Sequence, residues 1–130
     1  LKDIEHVGVP IVCDQIEYHA LLDRSVLLDY LRPRGMMLVA HVPLARGELP
    51  THPVLAGIGA KHGASAAQVA LKWLLDQDNV AAIPKAARES SQRENLAALN
   101  LVLDDEDRAA IAALPKDQRV VDPPFAPKWD

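Results

Sequence analysis

Apolar residues fall along this chain in short runs, separated by stretches with helical spacing. After a polar lead, Gly8 and Pro10 introduce Ile11-Val12-Cys13, which is β-branched and apolar without alternation, the pattern of a strand covered on both faces. Asp23 or Ser25 can then cap a helix whose apolar positions Val26, Leu27, Tyr30 and Leu31 recur at helical intervals, with Pro33 and Gly35 near its end. Met36-Met37-Leu38-Val39-Ala40 reads as a second buried strand and Val80-Ala81-Ala82-Ile83, closed by Pro84, as a third. Between these two lie the Pro- and Gly-rich loop HVPLARGELPTHP and a short helix over 54–62 that stops at Gly63. A longer helix follows, started by Ser65 and Gln68 at capping-box spacing, with Ala67, Ala70, Leu71, Leu74 and Leu75 on its apolar face and Trp73 expected in the core. Two more helices are expected over 91–99 and 104–114, the second capped by Asp104. The tail RVVDPPFAPKWD holds too many prolines for regular structure and is expected to lie over a surface groove.

Three strands, each followed by helix, argue for parallel βα units in an α/β fold. A three-stranded parallel sheet leaves backbone groups unpaired on both outer strands. The pattern therefore reads as part of a larger closed or wound structure, with self-association through exposed strand edges as another way of covering them.

A chain of 130 residues with 49% hydrophobic content suits one domain, taken as 1–130 with the tail at about 118–130. Fourteen basic residues stand against 18 acidic ones for a net charge of −4, and neither sign forms a block that could track a phosphate backbone, which argues against nucleic acid as a partner. No apolar run approaches the roughly 18 residues of a membrane span and no signal-like segment opens the chain, so a cytoplasmic protein without membrane association is expected. Cys13 is the one cysteine, which excludes an intramolecular disulfide, and its apolar neighbours suggest a small buried hydrophobe. Leu1 stands where an initiator methionine is normal, so either a segment precedes it or a start codon has been misread.

Three motifs carry chemistry. CDQIEYH, residues 13–19, resembles the strand segment N-Q-x-E-Y-H of aldo-keto reductases; AHVPLARG resembles their A-Y-S-P-L-G/A-x-G; and IPKAARESSQREN resembles their I-P-K-S/A with a downstream E-N. Order and spacing agree across all three, one on each expected strand, and RVVDPPFAPKWD looks like the tail of bacterial members. The resemblance covers essentially the whole chain. It implies a (β/α)8 TIM-type barrel, of which this chain would supply the last three βα units, the C-terminal helix and the tail. Barrel enzymes build their sites where strands end and loops begin, and Gln15, His41 and Lys85 all fall there.

The resemblance also implies roles at a nicotinamide cofactor. Gln15 would hydrogen-bond the nicotinamide carboxamide. His41 takes a position usually held by an aromatic ring stacked on the nicotinamide; an imidazole offers less area and, when charged, would disfavour the oxidised ring. Pro43, Leu44 and Ala45, with the loop as far as Gly47, would wrap the pyrophosphate. Lys85, Ala86 and Arg88 would hold the adenosine end, positive charge lying beside a 2′-phosphate, while Glu94 and Asn95 would hydrogen-bond adenine. Two departures bear on cofactor choice: Ala86 replaces the family serine, and Ser91 an arginine often found there. NADPH is the expected cofactor and NADH the alternative, with Arg88 or Arg93 able to compensate. Asp14 replaces the usual asparagine and would favour an oxidised ring if it faces the nicotinamide.

Family members reduce aldehydes or ketones with a tyrosine, lysine, aspartate and histidine that all lie in the first half of the family sequence. None of that region is in this chain, so no catalytic residue is assigned, and Tyr18, Tyr30 and the five histidines are not promoted to fill the roles. Glu17 and His19 read as a strand-end hydrogen-bond cluster in preference to an acid/base pair. His6, His52 and His62 lack an ordered ligand spacing, and no metal site is expected. Phe125 and Trp129 either line a substrate pocket or pack over the barrel end. The expected function is thus the cofactor-binding C-terminal portion of an NAD(P)H-dependent reductase, with a small carbonyl substrate if the missing half is present. The alternatives are a non-catalytic remnant that binds nucleotide or a partner, and a product of truncation.

Overall fold

The computed structural model describes residues 1–2 and 5–125. Strands Cys13–Glu17 (β1), Met37–His41 (β2) and Val80–Ala82 (β3) form one parallel sheet in the order β1-β2-β3. Helices Ser25–Leu31 (α1), Pro53–His62 (α2), Ala66–Leu75 (α3), Glu89–Ala97 (α4) and Asp105–Ala112 (α5) follow in chain order. The register sets Glu17 beside His41 and Ala40 beside Ala82, so the C-terminal ends of all three strands share one edge.

Side chains alternate across a strand, and the two faces of this sheet differ in kind. Ile16, Leu38, Ala40, Val80 and Ala82 point one way and pack against Leu28 and Leu31 of α1 and Leu74 of α3. Cys13, Gln15 and Met37 have the opposite parity and are exposed, with Val39 and Ala81 half-buried. This corrects two expectations. The first strand runs from Cys13 to Glu17 and not over Ile11–Cys13, Val12 being 74% exposed. Cys13 is likewise exposed and not a buried hydrophobe. An apolar run records what a strand face prefers against it; whether that cover is present is a property of the rest of the structure.

Helix α3 joins the two halves of the core. Val69 and Ala70 pack with Leu49, Leu55, Ile58 and Ile111, Leu74 packs against the sheet, and half-buried Trp73 touches both groups. The expected capping box starts it: Gln68 N donates to Ser65 Oγ at 3.2 Å and Ser65 N donates to Gln68 Oε1 at 2.8 Å. A second box starts α5, where Asp107 N donates to Asp104 Oδ1 at 2.9 Å and Asp104 N to Asp107 Oδ2 at 3.0 Å. Helix α4 begins at Glu89, two residues before the expected start at 91.

The α2–α3 turn depends on two glycines for different reasons. Gly63 takes the left-handed conformation (φ 64°) that ends α2. Gly59 lies where a Cβ would sit 2.5 Å from the Ala64 carbonyl oxygen, whereas Gly57, on the same helix, has open space. Replacing Gly by Ala inside a helix gains about 0.5–1 kcal/mol when nothing opposes it. Gly57→Ala is therefore expected to stabilise by about that amount, and Gly59→Ala to destabilise because rigid backbone must move; urea unfolding of the two variants checks both signs.

Candidate nucleotide site at the strand ends

Beyond β2 the backbone turns sharply. Val42, Ala45 and Arg46 all have positive φ (52°, 48° and 53°), a left-handed conformation costing side-chain-bearing residues roughly 1–2 kcal/mol each. Tight turns hold them there: Ala45 N donates to the Val42 carbonyl and Gly47 N to the Leu44 carbonyl, both at 3.0 Å. Pro43 and Ala45 are buried, and Leu44 packs on the core. The loop is thus shaped in advance, anchored by its apolar side chains.

The other expected site residues gather toward the same end of the sheet, with one correction: Gln15 is the middle residue of β1, paired with Val39, and not at the strand's end as expected, because β1 runs on to Glu17. Gln15 is exposed on the open face of β1, and His41 is half-buried at the end of β2, beside Glu17. Lys85 is exposed after β3; Ala86 is half-buried and its carbonyl accepts a 3.1 Å bond from Gln92 Nε2. Arg88 is exposed immediately before α4, Glu94 is exposed on that helix and Asn95 is half-buried. Gln68 Nε2 donates to the Glu94 carbonyl at 3.0 Å, pinning α4 to the start of α3. Arg93 is engaged along its own helix, Nη2 lying 2.6 Å from Glu89 Oε1. Among the described residues Lys85 and Arg88 have no acidic partner within ion-pair distance, which leaves their charge available to an anion.

Tyr18 and its neighbours Glu17 and His19 are buried where β1 ends. Tyr18 is buried on the helix side of the sheet, tilted against Trp73 at 5.5 Å between ring centroids, and donates to Gln77 Oε1 at 2.8 Å. Burial raises its pKa, and the group stays a phenol. Glu17 and His19 are also buried, His19 Nε2 lying 3.0 Å from Glu17 Oε1. Glu17 receives the backbone amides of Val120 (2.7 Å) and Val121 (3.0 Å) as well. Burial works to raise the Glu17 pKa, but these bonds together outweigh it and hold the carboxyl below its ordinary range. The imidazole is also shifted down, because burial outweighs the attraction of Glu17 for a charged ring. The cluster thus joins a carboxylate to a neutral imidazole, a structural tie and not an acid/base pair.

The tail is built into the same region. Lys116 Nζ donates to the carbonyls of Ala20 (2.6 Å) and Ile111 (2.7 Å), and Gln118 N donates to the Leu21 carbonyl at 2.9 Å. Phe125 is 88% exposed, and Trp129 lies outside the described residues. Sequence reasoning missed the tie from Lys116 to Ala20 and the tail-holding role of Glu17, and with those partners 96 to 104 residues away no local signal could have shown them. It also missed a polar cluster at α2 and α5. There His62, Asp104 and Asp107 bring ligand-type atoms within 4.8 Å of one another. The Lys61 ammonium already bridges Asp104 and Asp107, supplying the positive charge a metal would bring.

Parallel strands followed by helices, with a pre-shaped loop after β2, define an α/β protein, the class that builds ligand sites at strand termini. Residues 1–116 match the model of the aldo/keto reductase family, and the chain belongs to that family. It is 37% identical over 131 residues to methylglyoxal reductase DkgB of Escherichia coli O157:H7, covering 99% of this chain and 49% of that protein. It is 40% identical over 120 residues to glyoxal reductase of Bacillus subtilis (strain 168), covering 92% and 42%. The crystal structure of a putative 2,5-diketo-D-gluconic acid reductase B superposes with a TM-score of 0.91 at 38% identity, covering 99% of this chain and 48% of that one. A variant of Gox0644 in complex with NADPH superposes at 0.85 and 27% identity, covering 98% and 47%. The chain spans about half the length of the curated relatives it matches.

The Glu17–His19 cluster makes a pH-dependent contribution with a definite sign. Both groups have folded pKa values below their unfolded ones, so the unfolded chain takes up protons first and stability falls as pH drops. For His19 the loss begins near an unfolded value of about 6.5, and for Glu17 near about 4.3. Urea midpoints are expected to decline from about pH 6.5 toward 5, and His19→Gln to flatten that part of the profile while leaving the steeper fall below it.

Proposed function

We propose that this chain is a single partial-barrel domain, the last three βα units of a (β/α)8 reductase with its closing helix and tail, and that it supplies the nicotinamide-cofactor site. The whole protein then reduces small aldehydes or ketones to alcohols, methylglyoxal and glyoxal being the first substrates to try because relatives carry those names. The observation that carries this reading is the open sheet face. Gln15 and Met37 are exposed on a parallel sheet whose other face packs against α1 and α3, with Leu38 and Ala40 fully buried, which suits the lining of a barrel.

The residues present fit an NADPH molecule. The exposed Gln15 amide offers a donor and an acceptor to a carboxamide, and His41 offers a ring at the end of the neighbouring strand. The loop at Pro43, Leu44 and Ala45 brings turned backbone to a pyrophosphate. Lys85 and Arg88 hold positive charge for a 2′-phosphate without help from Ala86 or Ser91, and Glu94 and Asn95 present polar groups to adenine. When bound, the cofactor supplies a hydride to the carbonyl carbon, the oxygen taking a proton. This chain's share is to bind and orient; a proton donor would come from the other half of the barrel.

The test is the intact mass of the protein made from its own reading frame, with its N-terminal residue identified, followed by NADPH titration and methylglyoxal reduction. A mass about twice the 14.2 kDa of this chain, with NADPH-dependent reduction, is expected. A 14.2 kDa species that binds no NADPH would overturn the reading in favour of a non-catalytic remnant. Cofactor choice gives a second expectation. Lys85→Ala combined with Arg88→Ala should weaken NADPH binding about tenfold or more, from losing charge-assisted bonds of roughly 1.5–3 kcal/mol, with little change for NADH. Equal losses for both cofactors in fluorescence titrations would rule out the 2′-phosphate assignment.

A further inference from the structure

Glu17 is 2% exposed, yet both of its carboxylate oxygens are occupied by groups from elsewhere. Oε1 accepts from Val120 N at 2.7 Å and from His19 Nε2 at 3.0 Å, and Oε2 accepts from Val121 N at 3.0 Å. His19 Nδ1 accepts from Leu21 N at 3.3 Å, which makes Nε2 the protonated nitrogen and directs it to the carboxylate. Arg24 Nε donates to the Glu17 carbonyl at 2.9 Å, fixing the backbone of the anchor as well.

The segment 116–118 is tied independently. Asp117 bridges Leu22, Asp23 N donates to the Lys116 carbonyl, and Gln118 N donates to the Leu21 carbonyl. Beyond Gln118 no backbone–backbone hydrogen bond continues that pairing among the described residues. The amides of Val120 and Val121 turn instead to the one carboxylate. Two successive N–H groups aimed at two oxygens form a nest that an acceptor-only group fills and an amide cannot. Gln15 lies two residues before Glu17 on the same face of β1, a rise of about 6.6 Å along an extended strand.

We infer that Glu17 is a positioning residue: it latches residues 120–121 at the end of β1, so that the strap running on to Phe125 lies beside the nicotinamide contact at Gln15 and sets how the carbonyl substrate is held. The substrate half of this inference rests on the reductase reading above; the latch itself does not. Glu17 touches neither cofactor nor substrate and acts through the strap.

The test uses the full-length protein with Glu17→Gln, and with a second variant truncated before Val120. Amide hydrogen exchange at Val120 and Val121 is expected to quicken about 10- to 100-fold in Glu17→Gln, the loss of a hydrogen bond to a charged acceptor, while Leu38 and Ala40 in β2 stay protected. KM for methylglyoxal should rise while NADPH affinity and kcat stay near wild type, and adding Glu17→Gln to the truncated chain should change KM no further. Unchanged exchange at the two amides overturns the latch, and so does a KM effect that persists in the truncated chain. Should Glu17→Gln fail to fold, Val121→Pro removes one donor and leaves the carboxylate in place; quickened exchange at Val120 with a raised KM is then expected, and unchanged exchange at Val120 overturns the latch. A wild-type protein that reduces no carbonyl, with exchange responding as stated, overturns the substrate role and the reductase reading together while the latch stands.

Discussion

Burial of Leu38 and Ala40 beneath α1 and α3 is the contact from which the rest of the arrangement follows. Both are fully buried in the central strand, and a Leu so placed contributes on the order of 1.5–3 kcal/mol relative to exposure. A slip of one residue in β2 would turn them to the open face and Met37 and Val39 inward, so their burial fixes the register. Register in turn sets Glu17 beside His41 and Ala40 beside Ala82, which brings the three motifs to one edge. Site geometry is thus inherited from an apolar contact on the opposite face of the sheet.

Two kinds of polar structure are built on that frame. On the helix side, polar groups are spent internally: the Lys61 ammonium between Asp104 and Asp107, with His62 Nε2 2.6 Å from Asp107. Asp107 stays ionised well below the usual carboxylate range, because bonds from Asp104 N, His62 and Lys61 outweigh its burial. At the strand-end edge, Lys85 and Arg88 keep charge without an acidic partner among the described residues, and the loop after β2 keeps three side-chain-bearing residues in left-handed conformations. Neither feature stabilises the fold. Strain and unbalanced charge persist where a surrounding scaffold enforces them, and here they coincide on one edge.

The tail shows how a proline-rich segment acquires a fixed course without secondary structure. Lys116 crosses to the Ala20 carbonyl and to the last turn of α5, where a cation also suits the carbonyl end of the helix. Its pKa is lowered by burial, the cost of holding an ammonium against the Trp73 ring at 5.2 Å from the centroid. Glu17 then takes over the amides of Val120 and Val121, which no strand pairs among the described residues. The expected surface groove is, in structural terms, a set of hydrogen-bond acceptors provided by β1 and the turn after it.

Sequence alone determined the parts governed by short-range rules. Capping boxes at Ser65 and Asp104, the helix stops at Gly35 and Gly63, and the three strand-helix alternations are legible because a cap or a left-handed stop acts within four residues. The motifs around Gln15, the Pro43 loop and Lys85 were legible as well, the last two following strand ends and the first lying on β1 itself. Tertiary structure alone decided which sheet face would be open, so that Cys13 and Val12 meet water despite an apolar run suited to burial on both sides. It also decided that Glu17, Tyr18 and His19 would be buried, and that Glu17 would serve amides 103 and 104 residues away. Alternation and capping state what a residue needs from its neighbours in the chain. Which distant group meets that need depends on how the elements pack, and no local period carries that information.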